Sequence, residues 1–560
     1  MAKAMWRRTM LCFGLLAGAL SACSDDDATG SGGTGSSNTG GAGGSGGSSA
    51  GTSGTAGTGA GTGGAAGGGG DAGTQACQIE LSLGRLSGKS EESTCAYLGI
   101  PYGKPPVGDL RFAAPQPADG WQGVRDTTMF GPSCMQAASA VGGASTRSED
   151  CLSLNVYTPE PAPSAKLPVM VFIHGGGYTL GSSSTYDGHL LSQKGPVVVV
   201  TMNYRLGVFG FFAHPALDSE RADAPSGSDG IRDQQLALRW VKDNISAFQG
   251  DANNVTVFGE SAGSFSATLH LVSPGSRDLA HHFILESGAA VGGGYGTTTR
   301  DAGYALSTSM ASELCAGAPN VVACLRAKPA QELVDWTGGA TGIFGAAWGP
   351  VVEGRAGGVL PDSPQNLIAN DDYNRAASVI AGSNKNEWGL FQQPVLGGTP
   401  ITTMAEFKAN LAQQFGARAA EVEAHYTVAS DAEANDVFIR LVTDATFRCP
   451  TRVLARLTTA HGTRFYLYSF EEGVAYHGDE LAYVFGTPVF TGIPPQAALV
   501  ATTQSYWTRF AVAGDPNASG LPMWPMYDSA SDQHLVLKNP PAIGSALAKS
   551  DCDFWERFNP

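Results

Sequence analysis

The segment Val255-Thr256-Val257-Phe258-Gly259-Glu260-Ser261-Ala262-Gly263 joins a run of β-formers to Gly-x-Ser-x-Gly, and Ser264 to Val272 then reads as helix. A strand that turns sharply into a helix holds the central serine at the tip of a strained bend. Glycine fits on either side because a Cβ there would clash in the turn. A serine hydroxyl is a weak nucleophile at pH 7. It needs a base to take its proton and a third group to hold that base in the right tautomer. The chemistry indicated is acyl transfer through Ser261. The pattern alone is not decisive, because a chain with 76 Gly can contain it by chance.

The partners must come from loops at the carboxyl ends of strands, and in such sets the acid and then the histidine follow the serine. Ser378 to Gly382 reads as a buried strand, and Glu387 lies in the loop after it. Asp371 and Asp372 precede that strand, at the wrong end. Phe465 to Phe470 reads as another strand, and His477 follows it. His461 precedes it, His425 follows a charged helical stretch, and His534 sits near a late hairpin-like turn. His477 has the loop placement that a base needs. An oxyanion needs N–H donors, which the glycine run His174-Gly175-Gly176-Gly177-Tyr178 can supply with the residue after the nucleophile. The donors expected are Gly176, Gly177 and Ala262. No Gly-Lys-Ser/Thr follows the run, so a phosphate loop is disfavoured.

The elements that position these residues are legible as apolar runs. Val169 to Ile173 leads into the glycine run, and Val197 to Met202 forms a second buried strand. Ile231, Leu238, Val241, Ile245 and Phe248 mark one face of a helix, which Gly250 to Asn254 stops before the Ser261 strand begins. Strands that are hydrophobic throughout and alternate with helices predict an α/β architecture. Its sheet is large, mostly parallel and covered by helices on both faces.

The amino terminus reads as a targeting segment. Lys3, Arg7 and Arg8 precede an apolar run from Met10 to Leu20, too short to span a bilayer. Leu20-Ser21-Ala22-Cys23 resembles a bacterial lipobox, which implies a signal peptide over 1–22 and lipidation of Cys23; the alternative is an ordinary cleavage site and a secreted or periplasmic protein. Ser24 at the next position favours the outer membrane by resemblance to enterobacterial sorting. Residues 23–76 are Gly/Ser/Thr-rich and form an expected flexible tether, with a hydrolase domain over 77–560. The net charge of −16 argues against a nucleic-acid partner. Ten Cys less Cys12 and Cys23 leave eight, an even number that suggests four disulfides in an exported protein. No spacing resembles a metal site, and neither metal nor cofactor is expected.

These pieces, in this order, resemble the type-B carboxylesterase family of cholinesterase-like α/β hydrolases. Leu98 to Gly108 with Leu110-Arg111-Phe112, Ser148 to Val156, Asn203 to Gly207, Asp233-Gln234, Phe258 to Gly263, Asn384 to Glu387 and the segment around His477 carry the likeness. It implies a carboxylic ester hydrolase with Ser261 as nucleophile, Glu387 as acid and His477 as base. It also implies Gly176, Gly177 and Ala262 as the oxyanion hole and Glu260 as a buried carboxylate beside the site. Arg111 and Glu149 correspond to a structural ion pair. The family pattern pairs Cys134 with Cys151, Cys315 with Cys324, and Cys449 with Cys552. Cys77 and Cys95 remain to close the hairpin read over Leu81 to Ser90.

Departures from the family shape the expected substrate. The segment between Cys134 and Cys151 holds no aromatic residue, whereas a choline cation needs an aromatic face. The same segment is small, polar and Gly-bearing, unlike the long apolar lid of a lipase. Phe344, Ala346 and Trp348 mark the expected acyl pocket, with Ala346 making room beyond acetyl. A small or medium soluble ester is the expected partner, with the membrane reached only through the lipid. The alternatives are a non-catalytic adhesion module of the neuroligin kind, or an amidase, lactonase or carbamate hydrolase with the same triad. The adhesion module is disfavoured because Ser261, Glu387 and His477 are all present.

Overall fold

The computed structural model describes residues 77–138, 146–161, 163–221, 224–292, 296–336, 348–355, 358–396, 398–490 and 494–558. Its centre is an eleven-stranded sheet. In chain order the strands are β1 (Lys89–Glu91), β2 (Thr94–Pro101), β3 (Ser153–Pro159), β4 (Leu167–Ile173), β5 (Val198–Met202) and β6 (Gly250–Glu260). There follow β7 (His282–Glu286), β8 (Ser378–Asn384), β9 (Phe465–Phe470), β10 (Gln533–Leu537) and β11 (Ala542–Ser545). The spatial order is β11-β10-β9-β8-β7-β6-β4-β5-β3-β2-β1. All pairings from β5 to β10 are parallel. The meander β1-β2-β3-β5 and the hairpin β10-β11 are antiparallel.

Side-chain alternation splits the sheet into two apolar faces. Val169, Val171, Val255 and Val257 pack with Ile231, Leu238 and Val241 of α1 (Asp229–Asn244) and with α2 (Ala262–Val272). Met170, Phe172, Phe258 and Ile284 face the other way and pack with the helix Ala497–Ala513 through Leu499, Trp507 and Phe510. A third cluster joins α3 (Ala434–Thr443) and α4 (Cys449–Ala460) to the last helix, Lys549–Phe558, through Phe438, Cys449, Cys552 and Trp555. Among the described residues no helix is long and apolar enough to cross a membrane.

Two expectations shift. The Ser261 strand starts at Gly250 rather than after Asn254: Gly250 pairs with Leu167, the register slips, and pairing resumes at Val255 with Val169. The polar run is therefore an irregularity inside β6, not a break before it. The expected hairpin is real but belongs to a separate small sheet of Gln78–Leu81, Gly84–Ser87 and Val124–Asp126. The Cys77–Cys95 disulfide ties it to β2, and Cys134–Cys151, Cys315–Cys324 and Cys449–Cys552 are the other three bridges.

The topology fixes where a site can lie. The chain passes from β4 to β5 on one side and returns to β6 on the other. This reversal opens a crevice at the carboxyl ends of β4 and β6. Ile173 and Glu260 end those two strands.

Candidate active site

Ser261 occupies the bend between β6 and α2 with φ 56° and ψ −121°, a conformation that strains a residue with a side chain. The bend is held from two directions. The Ser261 N–H donates to Glu286 O at 2.9 Å, and its carbonyl accepts from the Phe265 N–H at 2.9 Å. The flanking glycines are dictated by the crossing with β4. A Cβ on Gly263 would lie 1.9 Å from Ile173 O, and one on Gly259 would lie 2.7 Å from the same atom.

The glycine loop leaves β4 directly beside this bend. Gly176 and Gly177 have φ of 102° and 60°, and the Gly176 carbonyl closes the turn by accepting from Thr179 and Leu180 N–H at 3.1 Å. Gly175 runs so close to the nucleophile that a Cβ on it would lie 3.0 Å from Ser261 Cβ. Ala262 is the first residue of α2, where backbone N–H groups have no partner within the helix. His174 buttresses the loop. Its Nδ1 lies 2.9 Å from Gly175 O and its ring stacks on Tyr204 at 4.5 Å. Burial holds its pKa down at about 4 against that hydrogen bond, so it stays neutral. The sequence showed His174 only as the start of the glycine run.

Glu387 and His477 come together although 90 residues apart: His477 Nδ1 lies 2.6 Å from Glu387 Oε2, and both side chains are buried. Glu387 Oε1 accepts the Asn384 N–H at 2.6 Å, so the acid is oriented by the end of its own strand. The two loops are stitched together by Asn386 N–H to Ala475 O at 3.0 Å and Asn384 Nδ2 to Tyr476 O at 2.6 Å. His477 Nε2 lies 3.0 Å from Glu260 Oε1, within ion-pair range but without hydrogen-bond alignment. Among the described residues no hydrogen bond joins His477 to Ser261 Oγ. The imidazole nevertheless reaches the bend, because Glu260 is the residue immediately before the serine.

The carboxylates around this histidine set its charge. Burial pushes the His477 pKa down, but Glu260 and Glu387 outweigh burial and hold it well above the ordinary histidine value. Two further buried acids stand behind the site. Glu286 pairs with Glu260 in the β6–β7 register and accepts the Trp507 Nε1–H at 2.6 Å. Burial, helped by Glu260 and opposed by Trp507, raises its pKa to about 8. Glu480 accepts from Asn384 Nδ2 and Ser287 Oγ, and burial beside Glu260, Glu387 and Glu286 raises its pKa well above the carboxylate range. Glu286 is therefore favoured in its protonated form near neutral pH, and burial pushes Glu480 in the same direction. Sequence reasoning missed Glu286 and Glu480. The only signal was the placement of Glu480 three residues after His477.

This constellation of bend, glycine loop and acid–histidine pair has counterparts in known proteins. A sequence model described as "Carboxylesterase family" matches residues 75–555. The chain belongs to the carboxylesterase family. Carboxylesterase 1E of Rattus norvegicus is 34% identical over 515 residues, covering 83% of this chain and 90% of that protein. Liver carboxylesterase of Sus scrofa is 33% identical over 532 residues, covering 85% and 92%. Cocaine esterase of Oryctolagus cuniculus is 34% identical over 529 residues, covering 87% and 95%. The activity is carboxylic ester hydrolysis, as the family match and the carboxylesterase relatives support.

Other expected positions of this carboxylesterase are placed as follows. Arg111 and Glu149 form a two-pronged ion pair at 2.7 and 2.5 Å, with Arg111 also bonded to the carbonyls of Leu325, Arg326 and Lys328. Trp348 is buried, with its ring 6.3 Å from Phe212. Phe344, Ala346, Cys23 and the middle of the Cys134–Cys151 loop lie outside the described residues.

Proposed function

We propose that this carboxylesterase works through a Ser261-His477-Glu387 triad. Ser261 Oγ attacks the ester carbonyl while its proton passes to His477 Nε2. The C–O bond to the alcohol then breaks, and His477 returns the proton to the leaving alkoxide. Water repeats the sequence on the acyl-enzyme and releases the acid. Glu387 holds the Nδ1–H tautomer and stabilises the imidazolium. The N–H groups of Gly176, Gly177 and Ala262 take the oxyanion, aided by the positive end of α2. The observation that carries this reading is the buried His477–Glu387 bond of 2.6 Å. It orients an imidazole whose other nitrogen reaches the residue before Ser261.

Ser261→Ala should reduce kcat by about 10⁶ with the melting temperature nearly unchanged. An organophosphonate should label Ser261 alone. Full activity in the alanine variant, or labelling elsewhere, sinks the triad. Small to medium soluble esters with acyl groups larger than acetyl are the proposed substrates, read from the polar Cys134–Cys151 segment and from Ala346. Rates on a chain-length series of chromogenic esters, with matched amides beside them, test that preference.

The same reading extends to the cell. Residues 1–22 act as a signal peptide, Cys23 carries lipid, and residues 23–76 tether the domain beginning at Cys77. A Gly/Ser chain of that length has an end-to-end distance of about 40 Å. Cys23→Ser should move activity out of the membrane fraction or block processing. A soluble, unlipidated wild type refutes the anchor.

A further inference from the structure

Helices α3 and α4 would form one continuous helix but for a single π-helical turn at Asp444–Arg448. Such turns are rare and recur at functional sites, because the added residue changes which side chain faces a neighbour. Here the side chain delivered is Phe447. It is buried, and its ring centroid lies 4.8 Å from that of His477. Phe391, from the short helix after β8, brings a second ring to 5.0 Å from the same imidazole. Two separate elements thus pack aromatic rings on the proposed base.

The turn is fastened to the loop that carries Glu387. Arg448 donates to Lys385 O at 2.8 Å, and Thr443 Oγ1 accepts the Trp388 N–H at 3.4 Å. These two anchors bracket Glu387 in sequence. Arg448 also pairs with Asp444, Asp444 accepts from the Tyr426 hydroxyl at 3.1 Å, and Cys449 is bonded to Cys552. The turn that carries Phe447 is therefore anchored on both sides of Glu387.

We propose that Phe447 is a positioning residue for His477. Together with Phe391 it holds the imidazole against Glu387 and stabilises the imidazolium formed as Ser261 gives up its proton. A cation within about 6 Å of the face of an aromatic ring is attracted to it, and more so where water is excluded; the two rings meet the imidazole tilted, at 43° for Phe447 and 45° for Phe391. Such attraction acts on the charged form alone, so above the pKa of His477, where the base rests neutral, it favours the transition state over the resting base. The proposal rests on the reading of His477 as general base.

The test compares Phe447→Leu, which keeps an apolar side chain but removes the ring, with Phe447→Tyr, which retains it. Steady-state kinetics with p-nitrophenyl butyrate across pH, with melting temperatures alongside, give the readout. Phe447→Leu should lower kcat by about 3- to 20-fold with little change in KM. It should also move the acid limb of kcat/KM to lower pH, because losing the ring disfavours protonated His477. Glu260, Glu387, Asp479 and Glu480, the carboxylates around the imidazole, are common to all variants. Phe447→Tyr should keep both kcat and the limb near wild type. An unmoved limb in Phe447→Leu, or a fall in kcat that only tracks lost thermal stability and that Phe447→Tyr does not rescue, overturns the proposal. Ser261→Ala and His477→Ala serve as separate controls. If either retains full activity, the triad itself fails, whatever Phe447 does.

Discussion

Gly175→Ala tests how closely the glycine loop and the nucleophile are packed. A Cβ at this position would lie 2.7 Å from Glu260 Oε2, 2.8 Å from Glu260 O and 3.0 Å from Ser261 Cβ. Gly175 is not among the residues with positive φ, so alanine is conformationally admissible and the penalty is steric. The Glu260 side chain can swing aside, but its backbone oxygen cannot. Opening the 2.8 Å approach to an ordinary contact of about 3.4 Å parts the two backbones by about 0.6 Å. Gly176 and Gly177 follow directly in the chain, so their N–H groups move relative to Ser261 by a similar amount. Such sites tolerate roughly 0.5 Å, and loss of one oxyanion donor costs about 10²–10³ in kcat. We expect kcat on p-nitrophenyl esters to fall about 10²-fold with KM within about threefold, since the donors act on the transition state more than on the bound ester. Phosphonate labelling of Ser261 should slow in parallel, while thermal unfolding shifts only slightly. A variant with kcat within twofold of wild type would mean that the hole is built from other donors, and the assignment of Gly176 and Gly177 would fall.

Two other outcomes follow from the buried charges and bridges. Glu286, with its pKa raised to about 8, stays protonated in the fold while the unfolded chain ionises it near pH 4.5. The native state binds the extra proton, so this group lowers stability as pH rises from about 4.5 to 8. Glu286→Gln should therefore melt increasingly above wild type between pH 5 and pH 9, by on the order of 4 kcal/mol; parallel stability curves for the two proteins refute the buried-acid assignment. The Cys449–Cys552 bridge spans 103 residues, which the chain-entropy model values at about 5 kcal/mol. Replacing both cysteines with alanine should lower the melting temperature by about 5 °C and reduce kcat, because Cys449 follows the turn that carries Phe447. An unchanged melting temperature counts against that bridge as a staple.

What the sequence revealed and what it hid follow from the range of the forces involved. The strands were legible because a parallel strand covered on both faces must be apolar throughout, as Val169 to Ile173 and Val198 to Met202 are. The bend was legible because its crossing with β4 leaves no space for a Cβ at Gly259 or Gly263, a local steric demand that writes glycine into the chain. Glu387 and His477 were legible by position, since each lies just past the carboxyl end of a recognisable strand. The hidden parts depend on register and on irregular geometry. Glu286 carries no motif of its own, and only the pairing of β6 with β7 sets it opposite Glu260. Phe447 reads as one more apolar helical residue, because nothing in Asp444 to Arg448 announces a π turn. Gly250 to Asn254 carries every sign of a loop, yet pairing on both sides keeps it inside β6. In each case a residue's immediate neighbours fix its chemistry, but a partner at least 26 residues away in the sequence fixes its role. The Ser261 N–H shows the same dependence: its acceptor is the carbonyl of Glu286, on the neighbouring strand. The strained bend and the buried acid behind it are therefore one mechanical unit, and a change at the end of β7 reaches the nucleophile through a single 2.9 Å hydrogen bond.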